Sequence, residues 1–402
     1  MYTFNKNIYF ANGVKYSCIY DLNKGLLYRL PYYELSLVIS FLNGEEKSSN
    51  FKIIHDCINK GLIVKSEHKQ NGVFPNYNPK SSDINMAWIE ITNKCNMQCR
   101  HCFNSKNINQ NLSMSLHDFN FVIDELTELN INNLQLIGGE PLLINTDTIE
   151  NMISYTIGKF ESVEIFTNAT LLTNRIASYL SKTGVKVAVS VYSYNSFNHD
   201  LVTKISGSHV WTLQGIELLK KYNIPYRIAS TLMAGIDLGD KNTDLFSLNS
   251  NRDVIRMTGR GNIKLLSVDL IKKRLITEKN FSKPLSYSYI KRLTKGHNCF
   301  LKDIYIAADL TVYPCVMERR ISHGNLRGNR LYNIIKPDIQ NFNKNQVDVC
   351  KDCEFRFACF DCRPDSLSKN ITAKPWYCTY DPYKGQFIDE DIFIKGLFDE
   401  NE

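Results

Sequence analysis

The chain has 402 residues, 43% of them hydrophobic, and a formal net charge of +7, which predicts two or three domains with buried cores. The sequence contains no run of ~18 apolar residues, no secretory signal, no basic run and no helix-turn-helix signature, so it predicts neither a membrane span, nor export, nor nucleic-acid binding. Twelve cysteines in a chain expected to be cytoplasmic indicate metal binding rather than disulfides.

Residues 1–66 are predicted to form a small separate domain. Three short strands, separated by turns at Asn12-Gly13 and at residues 23–25, precede two helices and a closing strand. This order resembles the winged-helix fold of precursor-peptide recognition domains, which implies that a leader peptide adds as a strand at an exposed sheet edge. A structural cap on the next domain is the alternative. The predicted elements are strands 7–10, 14–20 and 26–30, helices 33–42 and 50–59, and strand 61–65.

A polar linker is predicted over residues 67–84, and strands and helices then alternate over residues 85–270. Such alternation predicts an α/β fold of βαβ units on a parallel sheet, here a partial (β/α)6 TIM-type barrel. Ligand-binding groups are then expected at the carboxyl ends of the strands. The predicted strands are 88–92, 133–137, 163–167, 186–191, 226–232 and 263–267, and the helices between them include 115–129, 146–158, 171–182 and 209–221.

Three cysteines, Cys95, Cys99 and Cys102, follow the first of these strands in a Cys-x3-Cys-x2-Cys spacing. Three thiolates can hold one iron–sulfur cluster and leave one iron without a protein ligand. A zinc knuckle is the alternative, but zinc normally takes four ligands, and His101 directly precedes Cys102 and would have to fold back. The motif resembles the cluster loop of radical SAM enzymes, with His101 as the aromatic ring before the third cysteine. That resemblance implies a 4Fe–4S cluster that binds S-adenosylmethionine and cleaves it to a 5′-deoxyadenosyl radical.

A second motif, Gly138-Gly139-Glu140-Pro141, follows the second predicted strand. Two glycines after a strand let the backbone approach a ligand closely, and Glu140 can accept hydrogen bonds from an ammonium group. In radical SAM enzymes this motif holds the methionyl amine of the cofactor. The same resemblance predicts further cofactor contacts, at positions where the residue types match the family less closely. They involve Asn168 at the end of the third strand, Ser190 in the fourth, Lys204 where an arginine is usual, and Arg260, which either faces the cofactor or ties its loop.

Seven cysteines lie after residue 298. Cys-x2-Cys pairs often form zinc ribbons, but seven thiols suit two clusters better than one zinc ion. The layout resembles the SPASM domain, which carries two auxiliary 4Fe–4S clusters, so three clusters are expected in all. The family usually has glycine where Leu310 stands in the hairpin before Cys315. By this resemblance one auxiliary cluster takes Cys350, Cys353, Cys359 and Cys378, and the other takes Cys299, Cys315 and Cys362.

The segment 350–364 is similar to peptide maturases of "grasp-with-spasm" systems, which implies an ATP-grasp enzyme in the same pathway. The domain plan predicted is recognition domain 1–66, linker 67–84, radical SAM partial barrel 85–270, and bridging helix with SPASM domain 271–402. The expected activity is radical modification of a ribosomally made precursor peptide, giving a thioether or carbon–carbon crosslink, with flavodoxin or ferredoxin as reductant. Two alternatives stay open. One is maturation of a folded protein of the formylglycine-forming type, and the other is a catalytically silent peptide-binding scaffold with structural zinc.

Overall fold

The computed structural model describes residues 1–46, 51–75, 83–104, 111–239, 250–360, 362–366, 368 and 370–399. It consists of two compact units. The first contains Met1–Asn78, Arg274–Asn298 and Asn341–Glu402, and the second contains Pro79–Lys273 and Cys299–Gln340. The domain boundaries expected from the sequence at residues 66, 84 and 270 remain predictions. Residues 76–82 of the predicted linker lie outside the described residues.

The N-terminal part of the first unit is a small antiparallel sheet with two helices. Strands β2, β3 and β4 pair in that order, and the short strand β1 pairs with β5. The predicted strands and helices of this region are all present; β1 is additional, because three residues give too short a pattern to predict. In chain order the elements are β1 Tyr2–Phe4, β2 Ile8–Asn12, β3 Tyr16–Asp21, β4 Leu26–Pro31, α1 Tyr32–Asn43, α2 Lys52–Asn59 and β5 Ile63–Lys65.

The second unit is organised around six parallel strands, which confirms the predicted α/β fold. Helices follow most strands and cover one face of the sheet. The strands are β6 Met86–Thr92, β7 Asn133–Gly138, β8 Ser162–Thr167, β9 Lys186–Ser190, β10 Tyr226–Leu232 and β11 Ser250–Val254. The helices are α3 Leu116–Glu128, α4 Thr146–Thr156, α5 Asn174–Leu180, α6 Ser196–Thr203, α7 Ser208–Lys221 and α8 Val268–Arg274.

The sixth strand is not where the sequence analysis placed it. Residues 263–267 were expected to be a strand, but Ile263–Leu265 form a short 3-10 helix, and β11 lies at Ser250–Val254 instead. β11 is polar, with the sequence Ser-Asn-Arg-Asp-Val, and it occupies the edge of the sheet beside β10. An edge strand is held by main-chain pairing and needs few apolar side chains, so periodicity could not reveal it.

The remaining elements complete both units. Strand β12 pairs in parallel with β6, and the sheet continues antiparallel through β13 and β14 to nine strands. These elements are α9 Tyr287–Lys295, α10 Asn298–Lys302, β12 Asp303–Ile306, β13 Thr311–Tyr313, β14 Gly324–Asn325, α11 Leu331–Ile334, α12 Pro337–Gln340, β15 Tyr380–Asp381, β16 Gln386–Phe387 and α13 Glu390–Asp399.

The β12–β13 turn forms although leucine replaces the usual glycine. Leu310 has a φ of 71° and donates its backbone N–H to the carbonyl of Ala307 at 2.8 Å. A left-handed leucine costs about 1–2 kcal/mol. Its side chain is only 3% exposed and packs into the main core, which contributes about 1.5–3 kcal/mol. Burial of the side chain therefore offsets the backbone strain.

The two faces of the large sheet differ because side chains alternate along a strand. Ala87, Ile89 and Ile91 of β6 join the core beneath the helices. Trp88 and Glu90 alternate with them and so belong to the other, inner face. That face carries a small aromatic cluster built around Ile137, Tyr305 and Ala307, with Trp88, Phe166, Tyr313 and Val316 packed against it.

In the first unit, the N-terminal sheet packs directly against the cysteine-rich C-terminal segment. Cys18 and Tyr20 share a buried cluster with Phe355 and Tyr380. Glu354 is fully buried and accepts hydrogen bonds from the Arg29 guanidinium at 2.8 Å and from the Tyr380 hydroxyl at 2.6 Å. The N-terminal sheet β2–β4 and the cysteine-rich C-terminal segment thus share one hydrophobic core.

Candidate active site

The cysteine loop after β6 is held by backbone hydrogen bonds to the end of α6. The N–H groups of Gln98 and Arg100, on either side of Cys99, donate to the carbonyls of Thr203 at 3.0 Å and Val202 at 2.9 Å. The last carbonyls of a helix lack partners within it, so α6 has acceptors available here. These bonds fix the backbone that carries Cys99.

Arg260 lies against the same loop. Its backbone N–H donates to the Cys102 carbonyl at 3.0 Å, and its Nε donates to the Cys99 carbonyl at 2.8 Å. The neighbouring Gly259 has a φ of 60°, and a Cβ there would overlap the carbonyl oxygens of Cys102 and Phe103. Of the two roles predicted for Arg260, the described contacts are those of a loop tie. The Arg260 side chain also lies within hydrogen-bonding reach of the Cys102 thiol. Its Nη2 atom is buried without a hydrogen-bond partner among the described residues, so its N–H groups remain for a ligand.

The Gly138–Pro141 segment is joined to the start of the cysteine loop. The N–H of Gly139 donates to the Thr92 carbonyl at 2.8 Å, and the N–H of Glu140 donates to the Lys94 carbonyl at 2.7 Å. A Cβ on either glycine would overlap those same carbonyl regions, so only glycine permits this approach. Pro141 then opens a short 3-10 helix. The two sequence motifs therefore form one continuous site wall.

Glu140 is 1% exposed and accepts three hydrogen bonds. The donors are the Thr167 hydroxyl at 2.6 Å, the Asn168 N–H at 2.7 Å and the Leu142 N–H at 3.0 Å. Burial raises the pKa of this carboxyl, and the three donors oppose the rise. Since two carboxylate oxygens offer about four acceptor positions, one remains for a ligand.

Asn168, at the end of β8, ties the third strand to the cysteine loop. Its Nδ2 donates to the side chain of Asn96 at 2.8 Å, and Asn96 in turn donates to the Thr170 hydroxyl at 2.9 Å. Asn96 directly follows Cys95, so this network positions the first ligand cysteine. Asn168 is predicted from the sequence as a site residue, but Asn96 is not, although its adjacency to Cys95 was an available signal.

Tyr192 is a contact that the sequence analysis did not assign to the site. Its buried hydroxyl lies within hydrogen-bonding reach of the Ser190 and Cys99 side chains, and burial raises the pKa of this phenol well above its usual range. The ring of His101 meets the Tyr192 ring edge-on with centroids 4.8 Å apart. Burial lowers the pKa of His101 to about 4, so the imidazole is neutral at physiological pH. The position of Tyr192 two residues after Ser190, a predicted cofactor contact, was the available signal.

Lys204 is the predicted cofactor-binding residue that the structure does not bring to this group. It is exposed at the end of α6, with a φ of 59°, and its backbone N–H donates to the Asp200 carbonyl at 2.8 Å. Among the described residues its ammonium group makes no hydrogen bond or ion pair. A cofactor role for Lys204 remains a prediction.

The chemistry of the Cys95, Cys99 and Cys102 thiols is compatible with a bound iron–sulfur cluster. Burial raises the pKa of Cys95 and of Cys99 to about 12 each, and it also raises that of Cys102. Such thiols stay protonated alone, whereas metal coordination deprotonates a thiol outright. Within the described residues, no group of three or more histidine, cysteine, aspartate or glutamate side chains is arranged to hold a single metal ion. Three thiols suit a cluster with one open iron, whereas a structural zinc ion takes four ligands.

A second thiol set lies in the first unit. Cys350, Cys353, Cys359 and Cys378 all line one cavity, together with Phe355, Lys344 and Arg356. Burial raises the pKa of Cys353 well above its usual range, and the Cys378 and Cys359 thiols nearby contribute to that rise. Four thiols around one cavity satisfy every iron of a 4Fe–4S cluster.

The other cysteines divide as follows. Cys299 and Cys315 lie close together in the second unit, where a hydrogen bond between the two thiols lowers the pKa of Cys315. Cys362 belongs to the first unit, and its predicted part in a cluster with them remains a prediction. Cys18 and Cys57 are buried in the two small cores of the first unit.

Comparison with known families matches two parts of the chain. Residues 89–245 match the Radical SAM superfamily, and residues 299–354 match SPASM, an iron–sulfur cluster-binding domain. The first range contains the cysteine loop and Glu140, and the second contains Cys299, Cys315, Cys350 and Cys353. Within the described part of the chain, every helix is too short or too polar to cross a membrane.

Among curated proteins, an uncharacterised protein of Methanocaldococcus jannaschii is 34% identical over 154 residues, covering 36% of this chain and 51% of the relative. The antilisterial bacteriocin subtilosin biosynthesis protein AlbA of Bacillus subtilis is 28% identical over 148 residues, covering 36% of this chain and 33% of the relative. The chain thus matches about half or less of the length of these relatives.

Among solved structures, Streptococcus suis SuiB bound to its precursor peptide SuiA covers 92% of this chain and 98% of its own, with a TM-score of 0.55 and 14% identity. At that identity the likeness supports the fold.

Proposed function

We propose that this chain, which carries a radical SAM domain followed by a SPASM domain, oxidatively modifies a ribosomally made precursor peptide. The observation that carries the proposal is the pair of hydrogen bonds by which Gly139 and Glu140 join the start of the loop that carries Cys95, Cys99 and Cys102. A bound 4Fe–4S cluster with one open iron would supply the electron that cleaves S-adenosylmethionine to a 5′-deoxyadenosyl radical. The radical chemistry that the bound cofactor supplies would remove a hydrogen atom from the peptide, and loss of a proton and one electron would then give a thioether or carbon–carbon crosslink.

The chain's own groups bind and orient the cofactor. Glu140 accepts a hydrogen bond from its ammonium group at the acceptor position that Thr167, Asn168 and Leu142 leave open. Ser190, beside Tyr192, and the free Nη2 of Arg260 are further polar groups for the cofactor. Because Gly138 and Gly139 carry no side chains, the backbone can approach the loop closely.

The edge of the N-terminal sheet supports peptide capture. β4 is an edge strand, and the register with β3 directs the backbone groups of Leu27 and Arg29 outward. Neither residue's backbone N–H has a hydrogen-bond partner among the described residues. An added strand binds through such groups, as a leader peptide would. Subtilosin biosynthesis by AlbA and the peptide complex of SuiB are consistent with a peptide substrate.

The remaining parts of the proposal follow from the cluster chemistry. Closing a crosslink releases an electron, and two auxiliary clusters, for three clusters in all, are suited to accept it. Flavodoxin or ferredoxin in the cytoplasm supplies the electron for cofactor cleavage, and an ATP-grasp enzyme acts in the same pathway. The set Cys350, Cys353, Cys359 and Cys378 fits one auxiliary cluster by its shared cavity.

The direct test uses the full chain, reconstituted without oxygen, with S-adenosylmethionine, dithionite and each candidate precursor peptide found in small open reading frames beside its gene. We expect 5′-deoxyadenosine and a peptide two mass units lighter, both absent in the Cys95→Ala, Cys99→Ala, Cys102→Ala triple variant. That variant should retain about two thirds of the iron, since two of three clusters remain. A colourless protein after reconstitution, or cofactor cleavage at the wild-type rate by the triple variant, would contradict the proposal.

Leader capture is tested at the sheet edge rather than by removing residues 1–66, because that sheet shares a core with Phe355 and Tyr380. Leu27→Pro removes an outward N–H, a change that edge strands tolerate. We expect the KM for the full-length peptide to rise about fivefold to tenfold, because one hydrogen bond is lost. Cofactor cleavage in the absence of peptide should not change. A matched leader peptide, N-methylated at successive positions, should lose affinity for wild-type protein only at alternate residues. Equal affinity for all methylated leaders would refute strand addition.

A further inference from the structure

The inner face of the large sheet carries a polar network whose members nearly all bond to one another. The Trp88 indole donates to Gln135 at 2.6 Å, and Gln135 donates to Glu164. Arg227 donates two hydrogen bonds to Glu164, at 2.8 and 2.7 Å. These groups span β6, β7, β8 and β10, and they satisfy one another without a ligand.

Glu90 is satisfied in the same way. It is 2% exposed and accepts hydrogen bonds from the Asn104 amide at 2.9 Å and from the Tyr305 hydroxyl. Asn104 lies two residues after Cys102, so Glu90 connects the inner face to the cysteine loop. Two neutral donors thus satisfy this buried carboxyl group.

Arg319 differs from these residues. Its guanidinium carbon lies 3.6 Å from the ring centroid of Tyr305 and 4.7 Å from that of Tyr313. Both Nη atoms are buried, and neither has a hydrogen-bond partner among the described residues. The Tyr305 hydroxyl, which donates its proton to Glu90, lies within hydrogen-bonding reach of the guanidinium and can accept from one of its five N–H groups. The stack uses the face of the guanidinium and leaves the donors along its edge for another group.

We propose that Arg319 is a substrate-binding residue that holds a carboxylate of the peptide on the inner face of the sheet. Buried donors without partners are costly, and a guanidinium edge matches a carboxylate through two parallel hydrogen bonds. This inference rests on the proposed function, because it takes the substrate to be a peptide. The carboxylates of a peptide are its aspartate and glutamate side chains and its C-terminus.

The position of Arg319 relates the proposed carboxylate contact to the cysteine loop. The chain of contacts Arg319–Tyr305–Glu90–Asn104 leads to the cysteine loop. A carboxylate bound by Arg319 would therefore anchor the peptide on the same face of the sheet from which that loop is reached. Such an anchor would select which residue of the peptide meets the radical.

The test combines enzyme and peptide variants. Wild-type, Arg319→Lys and Arg319→Gln proteins are assayed for KM and kcat with the peptide encoded beside the gene. Each peptide aspartate and glutamate is changed in turn to its amide, and the C-terminus is amidated. Arg327→Gln is the matched control, because Arg327 is exposed in the same unit. Cofactor cleavage without peptide and the melting temperature report on the fold and the catalytic cluster.

We expect Arg319→Gln to raise KM for the native peptide by about tenfold to a hundredfold, Arg319→Lys to raise it less, and Arg327→Gln to leave it unchanged. Neutralising one particular peptide carboxylate should raise KM by the same factor with wild-type protein. The same peptide change should leave KM almost unchanged with Arg319→Gln. If every peptide change has the same effect in both proteins, the inference is overturned. If wild-type protein leaves the peptide unmodified, the proposed function falls, and this inference with it.

Discussion

The two thiol sets that the structure brings together differ in how completely they surround a cluster. Cys95, Cys99 and Cys102 lie on a loop whose backbone is bonded to α6, to Arg260 and to the Gly138–Glu140 segment. Cys350, Cys353, Cys359 and Cys378 instead line one cavity. Three ligands leave an iron available for chemistry, whereas four leave none, so the second set suits electron transfer.

The surroundings of the two sets differ accordingly. Around the three-cysteine loop, buried polar groups such as Glu140 and Arg260 keep hydrogen-bonding positions open. Around the four-cysteine cavity, the other side chains are mostly apolar or cationic, including Phe355, Tyr380, Lys344 and Arg356. Polar groups with spare hydrogen-bonding capacity indicate a binding site, while an apolar, cationic wall sets the potential of an electron carrier.

The strongest way to break this comparison is to remove one ligand from each set. Cys99→Ser should abolish cofactor cleavage, a loss of at least about a thousandfold, because the open-iron cluster requires all three thiolates. Cys353→Ser should keep cofactor cleavage within about twofold and lose only peptide crosslinking. Iron content, 5′-deoxyadenosine and peptide mass are measured together. Loss of cofactor cleavage in properly folded Cys353→Ser would erase the distinction between the sets.

A smaller effect is expected when Glu140, a polar residue beside the three-cysteine loop, is altered. Glu140→Gln removes the charge that would pair with the cofactor's ammonium group and should raise its Kd by about tenfold to a hundredfold. The iron content should not change, since the hydrogen bonds that Glu140 accepts come from Thr167, Asn168 and Leu142 and not from a cysteine. Equilibrium binding of S-adenosylmethionine to the reconstituted protein measures this. Glu150→Gln, at a partly exposed carboxylate of α4 that pairs with Arg175, serves as the control.

The cationic wall of the second set can be tested by its effect on potential. Lys344→Met should make the reduction potential of that cluster more negative by on the order of tens of millivolts, because a nearby positive charge stabilises the reduced form. Lys351→Met, which changes an exposed lysine of the same segment, should leave the potential unchanged. Redox titration followed by electron paramagnetic resonance gives both values. Equal potentials in both variants would remove Lys344 from the account.

The smallest effect is expected at Tyr192. Tyr192→Phe removes a hydroxyl within reach of Cys99, and a hydrogen bond to a cluster thiolate raises the reduction potential. At about 0.5–1.5 kcal/mol for the bond, the catalytic cluster should become more negative by about 20–60 mV. Tyr194→Phe provides a neighbouring control. A potential that does not move would show that the Tyr192 hydroxyl bonds only to Ser190.

Local patterns in the sequence predicted much of the candidate site. The spacing of Cys95, Cys99 and Cys102 and the Gly-Gly-Glu-Pro run each lie within a few residues, and each follows a strongly apolar strand. Turn signals and apolar alternation likewise predicted β2 to β4 and both helices of the N-terminal region. Features that depend on neighbouring residues in the chain were accessible in this way.

Features that depend on contacts between residues far apart in the chain could not be predicted from the sequence. The polar strand β11 is defined by its pairing with β10, and residues 263–267 have an apolar run without a strand partner. The sequence also gave no signal that Arg319 would stack on Tyr305 on the inner face of the sheet. Nor did it indicate that Tyr20 and Phe355 share one core. Each depends on main-chain or side-chain partners far along the sequence.

The parallel pairing of β12 with β6 has a consequence for biosynthesis. A ribosome releases β6 with its cysteine loop and then β7, which can pair with it, long before residues 303–306 emerge. Until then, the other side of β6 is an unpaired strand edge with apolar residues, which promotes association between nascent chains. A gene truncated before residue 303 should therefore yield aggregates even though it encodes all six parallel strands, and completion of the chain is what closes that edge.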